Sequence, residues 1–155
     1  MTLGTATPVL DPSLYIPELK LRTRDSVVAH LVGVAQRAGV VRGAAPLLEL
    51  LRARERVGST AIGKGVAVPH ARSITISRPA VVVARSHRGI DWEASDGLHV
   101  QLVLLVLSPG EWGEEPHHAF LGRAVGAARL QRNRQRILEA VSFAELAELL
   151  REVHP

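Results

Sequence analysis

The stretch Val57-Gly58-Ser59-Thr60-Ala61-Ile62-Gly63-Lys64-Gly65-Val66-Ala67-Val68-Pro69-His70-Ala71-Arg72 constrains this chain more than any other. Gly58, Gly63 and Gly65 fall close together, and glycine is tolerated where the backbone needs positive φ or must pass close to another group. They give way to Val66-Ala67-Val68, an apolar trio that can end a short buried strand. Pro69 has no N–H, so it is expected to stop any ladder there. His70 is then expected just past the strand end. A neutral imidazole so placed, beside a glycine loop with free N–H groups, suits a phosphoryl acceptor. A capped structural histidine beside an ordinary glycine turn fits the same residue types equally well.

Gly58 to Lys64 also reads as the first seven positions of a P-loop, G-x-x-x-x-G-K. The eighth position, where a Ser or Thr hydroxyl would bind Mg²⁺, is Gly65. The context is reversed as well: a P-loop follows a strand and opens a helix, whereas this loop follows a helical pattern and opens a strand. Nucleotide binding is therefore not expected.

Arg54-Glu55-Arg56-Val57-Gly58-Ser59-Thr60-Ala61-Ile62-Gly63 through Val68-Pro69-His70 resembles the active-site signature of the fructose/mannitol-type IIA domain of the bacterial phosphotransferase system (PTS). That class includes the stand-alone nitrogen-regulatory IIA proteins. The family pattern, roughly R-E-x-x-G-S-T-x-I-G-x-G-[IV]-A-[IV]-P-H, is matched at nearly every fixed position. Ala61 and Lys64 stand where the family often has Gly and Asn. A weaker resemblance runs from about residue 10 to 153. It implies that His70 accepts a phosphoryl group through Nε2 from a small HPr-like phosphohistidine protein, with no metal, nucleotide or other cofactor in the step. It also implies Arg54 as a phosphoryl-facing guanidinium, and Ser59 and Thr60 with loop N–H groups as further phosphate donors. A second histidine opens an H-L-x-x-L pattern in the family. His117 matches it through Leu121, but His118 stands where an apolar residue is usual, which leaves the choice between His117 and His118 open.

The residues themselves say something about Arg54 and His117. Arg54 lies at i+7 from Leu47 and i+3 from Leu51, so helical spacing puts it on their inward face. There it could snorkel or present a two-point fork to a phosphoryl group. His117 shares a helix face with Leu121, Ala124 and Ala128, so its ring is expected to face a sheet, with His118 turned to the surface. Zinc on His70, His117 and His118 with Glu114 or Glu115 is the alternative. Adjacent helical histidines diverge, however, and no metal site is expected. His30, His87, His99 and His154 carry no spacing signal.

A chain of 155 residues is one domain's worth. With 46% hydrophobic and only 3% aromatic residues, its core must come from Val, Leu, Ile and Ala. The absence of cysteine rules out disulfides, thiolate catalysis and a cysteine-type IIB acceptor within the chain. The formal charge is +4. Its densest basic stretch, Arg129 to Arg136, has no interleaved aromatics and reads as a solvated helix end and connection rather than a nucleic-acid patch. No secretory signal is expected from residues 1–9, and Val100 to Leu107 is too short to span a bilayer. A soluble, cytoplasmic protein is expected.

Residues 1–12 form an irregular N-terminal arm in this reading and 13–155 the IIA domain. A short strand is expected within 14–21. A helix capped by Thr23 or Asp25 ends at Gly39, and a second runs past Pro46 to about Arg54. Buried strands cover Pro79–Ala84 and Val100–Leu107, with a strand-like piece near Ile90 and Trp92. Helices start at about His117 and at Ser142, where Glu145 completes a capping box. The fold class is α/β: a single-domain sandwich with a mixed β-sheet flanked by helices on both faces. Two functional readings remain: phosphoryl relay to a separate sugar-specific IIB protein, or a regulatory module whose phosphorylation state selects partner proteins.

Overall fold

The computed structural model describes residues 8–155. Residues 1–7 of the expected arm lie outside the described residues. Of the rest, Val9 is buried, and its carbonyl accepts from the Val81 N–H at 2.9 Å. The elements that follow are β1 (Tyr15–Ile16), α1 (Arg24–Arg37), α2 (Ala44–Val57), β2 (Ala61–Gly63), β3 (Val66–Ala67), β4 (His70–Ser73), β5 (Ala80–Ile90), β6 (Val100–Pro109), α3 (Glu114–Arg129), α4 (Gln131–Glu139) and α5 (Phe143–Leu149).

The six strands make one mixed sheet in the order β1-β5-β6-β3-β2, with β4 also paired to β6. The apolar runs of β5 and β6 form its antiparallel centre, with Val82 opposite Leu105 and Val83 opposite Leu104. Side chains alternate across a strand. Val82, Ala84, Val103 and Leu105 therefore face one layer, with α1 and α2. Val81, Val83, Leu104 and Val106 face the other, with α3, α4 and α5. This is the sandwich with helices on both faces that the alternation of elements predicted. Thr23 caps α1 and Ser142 caps α5, each accepting a backbone N–H three residues on.

Three local expectations are corrected. Pro69 does not end the ladder. β3 pairs in parallel with β6 at Val66–Leu102 and Ala67–Val103, and β4 resumes on the same edge at His70–Val106. Proline lacks only a donor. Its carbonyl still accepts from the Val106 N–H at 2.9 Å, which carries the pairing across the break. His70 thus lies past the end of β3, as expected, but is also the first residue of a further strand, β4. Second, the arginine-rich stretch is a separate helix, α4, set off from α3 by the extended backbone of Leu130. Only Ile137 among its residues is fully buried, so it offered too few apolar residues to be read as a helix. Third, α3 begins at Glu114, three residues before the expected start.

The β2–β3 hairpin closes through Lys64-Gly65, with φ of 59° and 81° after Gly63 at 91°. Two central residues at positive φ define the turn type that favours Asn-Gly. Lys64 is thus a non-glycine residue in the left-handed region, at a cost on the order of 1 kcal/mol. Its N–H donates to Asp96 Oδ2 at 3.0 Å, and any replacement but proline keeps that bond. Lys64→Asn is expected to raise the melting temperature by about 2 °C and Lys64→Val to lower it, measured by thermal unfolding of the two variants against wild type.

Candidate active site

β4 is the edge of the sheet, so one strand lies within reach of both helical layers. In its parallel register with β6, His70 sits beside Val106 and Arg72 beside Ser108, while Ala71 between them turns to the opposite core. His70 and Arg72 therefore share the face of Val106 and Ser108, the face that α3 covers. The C-terminal turn of α2 reaches the same edge from the other layer. An open depression of about 390 Å³ results, lined by Leu50, Ala53, Arg54 and Val57 of α2, by His70, Ala71 and Arg72, and by His117 of α3.

His70 is half-buried, and its Nδ1 lies 2.9 Å from the Val68 carbonyl oxygen. A carbonyl can only accept, so Nδ1 carries the proton and Nε2 keeps its lone pair. Burial holds the His70 pKa below the usual histidine value, aided by the nearby charges of Arg54 and His118 and opposed by the Val68 hydrogen bond and Glu55. The nucleophilic neutral ring is thereby favoured.

His117 is 7% exposed. Its Nδ1 is hydrogen-bonded to the buried Ser108 hydroxyl at 2.7 Å, and its ring centroid lies 5.8 Å from that of His70. Burial first, then the charges of His70, His118 and Arg72, lowers its pKa to about 4. His118 is exposed. The ring that faces His70 is that of His117, as the helical spacing indicated.

Arg54 departs from its expected burial. The buried stripe of α2 runs through Leu47, Leu51 and Glu55 at four-residue steps, so Glu55 takes the inward position and Arg54 lies exposed at its margin. It lines the depression there, with Nη1 donating to the Gly58 carbonyl at 2.6 Å. The rest of its guanidinium keeps its donors for a ligand. Ser59 and Thr60 do not line the depression. Thr60 is buried, with its hydroxyl donating to Glu55 and its N–H donating to Glu55 Oε1 at 3.1 Å, while Ser59 Oγ accepts from the Ala61 N–H at 3.0 Å. Among the described residues, no group of three or more His, Asp or Glu side chains could hold a metal ion.

Sequence reasoning missed three residues. Arg72 lies two positions beyond His70 and therefore shares its strand face; its Nη1 donates to the Trp112 carbonyl at 2.7 Å. That spacing was available, but the expected end of the strand at Pro69 concealed it. Ser108 stood in a strand-closing Ser-Pro-Gly that gave no sign of its partner. Glu55 stands in the signature, but its burial was hidden because a carboxylate on the buried stripe runs against the usual preference of charged side chains for the surface.

The family model of the phosphoenolpyruvate-dependent sugar phosphotransferase system, EIIA 2, matches residues 8–153. The chain belongs to this EIIA family. The fructose-specific EIIA component of the PTS of Haloferax volcanii is 32% identical over 151 residues, covering 97% of this chain and 96% of that protein. A nitrogen regulatory protein of Bradyrhizobium diazoefficiens is 34% identical over 128 residues, covering 82% and 80%. Among solved structures, nitrogen regulatory protein IIA-Ntr of Neisseria meningitidis superposes with a TM-score of 0.84 at 25% identity, covering 92% and 96%. The PTS resemblance read from the signature is thereby borne out. So is the α/β fold class. Among the described residues no helix is long and apolar enough to cross a membrane.

The low pKa of His117 has a consequence for stability. In the unfolded chain the ring titrates near 6.5 and in the folded protein near 4. The unfolded state therefore binds the extra proton between those values. The stability that goes with a neutral His117 is fully present above about pH 6.5, falls as the pH drops through that window, and declines no further below about 4. The full loss is at most about 3 kcal/mol. Denaturant unfolding of wild type and His117→Gln from pH 7 to 4 is expected to show a steeper loss in wild type, and an NMR titration is expected to show the His117 ring protonating near pH 4.

Proposed function

We propose that this protein is a phosphocarrier of the phosphotransferase system, with His70 as its acceptor. The observation that carries this is the Val68 hydrogen bond, which puts the proton on Nδ1 and leaves Nε2 basic beside Arg54 and His117. In the transfer, Nε2 attacks the phosphorus of an HPr-like phosphohistidine. The new N–P bond forms as the donor's N–P bond breaks, and the donor imidazole leaves with the electron pair. Such a transition state is loose and spreads charge over three equatorial oxygens, so alignment and positive charge matter more than covalent help. Arg54 offsets that charge with its free donors. With the Ser108 hydroxyl donating to Nδ1 of neutral His117, the other ring nitrogen holds a proton to donate to a phosphoryl oxygen. Ser59 and Thr60 contribute by fixing the loop between α2 and β2 through their hydrogen bonds to Ala61 and Glu55. The protein acts in the cytoplasm, without metal or nucleotide.

Two destinations for the phosphoryl group have support. The fructose-specific relative favours onward transfer to a separate sugar-specific IIB protein. The nitrogen regulatory relative and the IIA-Ntr likeness favour a regulator whose phosphorylation state selects protein partners, with no sugar receiving phosphate. Pull-downs with phosphorylated and unphosphorylated protein separate them, because return of only a sugar-specific IIB rejects the regulatory reading.

The reaction is tested by incubation with phosphoenolpyruvate, the general PTS enzyme and an HPr-like protein. An acid-labile, base-stable label on wild type that is lost in His70→Ala is the expected result; no such label on wild type would overturn the reading. Single-turnover transfer tests the clamp. Arg54→Lys keeps charge but loses the planar fork, and is expected to slow transfer at least about tenfold. Arg56→Lys, at an exposed position facing Glu49 at 3.9 Å, is expected to leave the rate within about twofold.

A further inference from the structure

Glu55 is a carboxylate only 9% exposed, on the buried stripe of α2. No arginine or lysine pairs with it among the described residues. A buried carboxylate is costly unless its oxygens are hydrogen-bonded. Here both are used, and by one residue: the Thr60 N–H donates to Oε1 and the Thr60 hydroxyl to Oε2. The next link is backbone. The Thr60 carbonyl accepts from the Val68 N–H at 3.0 Å, one step beyond the Ala61–Ala67 pair of the β2–β3 hairpin. The Val68 carbonyl in turn accepts from His70 Nδ1 at 2.9 Å. An unbroken series of hydrogen bonds thus runs from a helix carboxylate through two residues of the hairpin to the imidazole.

From this connection we infer that Glu55 is a positioning residue that sets the tautomer of His70. Pro69 makes such a support necessary. The segment between β3 and β4 has no N–H at 69 to anchor it, and β4 has no strand on its outer side. On that side, the orientation of the Val68 peptide is held by Thr60. Thr60 is held by Glu55, whose backbone belongs to a helix packed into the core through Leu47 and Leu51. Without the carboxylate, Thr60 loses two bonds, the Val68 carbonyl is free to turn, and His70 relaxes toward the Nε2–H form that predominates in unrestrained histidine. That form carries its proton on the nitrogen that must attack. The role of the tautomer rests on the proposal that His70 accepts the phosphoryl group through Nε2, but the tautomer itself is measured without any transfer.

The test uses the full chain with ¹⁵N-labelled histidine. Long-range ¹H–¹⁵N correlation spectra at pH 8 report which ring nitrogen is protonated, and single-turnover transfer reports the rate. Wild type is expected to show His70 as the Nδ1–H form. Glu55→Leu is expected to shift it mostly to Nε2–H and to slow transfer by about tenfold or more. Glu55→Gln can accept the Thr60 N–H with its amide oxygen and donate to the hydroxyl, so it is expected to restore the tautomer and most of the rate. Thr60→Val removes one bond from the series at little change in shape and serves if Glu55→Leu does not fold. It is expected to give a mixed tautomer and an intermediate rate. A His70 ring that stays fully Nδ1–H in folded Glu55→Leu, or in Thr60→Val where only that variant folds, overturns the inference. So does a Glu55→Gln variant that behaves like Glu55→Leu. Absence of label on wild type would instead overturn the phosphocarrier reading and leave the tautomer result standing.

Discussion

The hydrogen bond from His70 Nδ1 to the Val68 carbonyl is the contact on which the arrangement of this site depends. It spans only two residues, yet it forms only because the chain between β3 and β4 keeps one path along β6. A tight excursion would have carried Val68 and His70 apart. The parallel pairing of β3 and β4 to the same edge, bridged by the Pro69 carbonyl, leaves them two positions apart on one face of the sheet. Pro69 keeps the carbonyl that faces β6 and lacks only the N–H on that same side, so its fixed φ holds the strand's direction at the loss of one ladder bond, while the outer side of β4 has no pairing strand. The depression occupies that side.

Both helical layers meet the molecule's edge at this point, which explains how residues far apart in sequence converge. α2 belongs to one layer and α3 to the other, and neither could reach a central strand without burying its polar groups. At β4 the C-terminal turn of α2 contributes Arg54 and the first turns of α3 contribute His117. Edge strands invite pairing with other chains. Here β4 is four residues long and carries His70 and Arg72 on one face, and this short charged edge is a poor template for another strand.

How much of this was legible in the sequence depended on the kind of signal. The apolar runs at 79–84 and 100–107 could only be buried strands, and the glycines and Pro-His between helix and sheet marked the candidate site. Thr23 and Ser142 declared their helices because a capping oxygen is a local device. What stayed hidden was decided by tertiary pairing. A proline read as a strand stop became a bridge because its carbonyl found Val106. Arg54 was assigned the inward face by spacing, but Glu55 took that position because Thr60 supplied two donors to it. α4 shows the reverse case: a helix with one fully buried residue and a run of arginines offers few apolar residues to mark it, and its place is set by Arg85 of β5. That buried guanidinium donates to the carbonyls of Ile137, Leu138 and Ala140 at 2.8–3.1 Å and so caps the helix C-terminus from the sheet.

For the transfer proposed at His70, the electrostatics of the site favour one state of charge before it and another after. Before transfer, His70 and His117 are both held neutral, chiefly by burial, and the guanidinium groups of Arg54 beside His70 and Arg72 beside His117 add to that effect. In the proposed transfer a neutral His70 is the nucleophile, and a neutral His117 adds no positive charge beside it. Once the phosphoryl group arrives, its negative charge reverses the sign of the local field. The same arginines that disfavoured imidazolium then stabilise the phosphoryl oxygens, and protonation of His117 becomes easier because an anion now lies beside it. The burial that depresses the histidines and the cations that accept the phosphate are in place before the donor binds, so little reorganisation is left to the transfer step. The low His117 pKa of about 4 is therefore a property of the unphosphorylated protein, and the charge brought by phosphate at His70 acts to raise it.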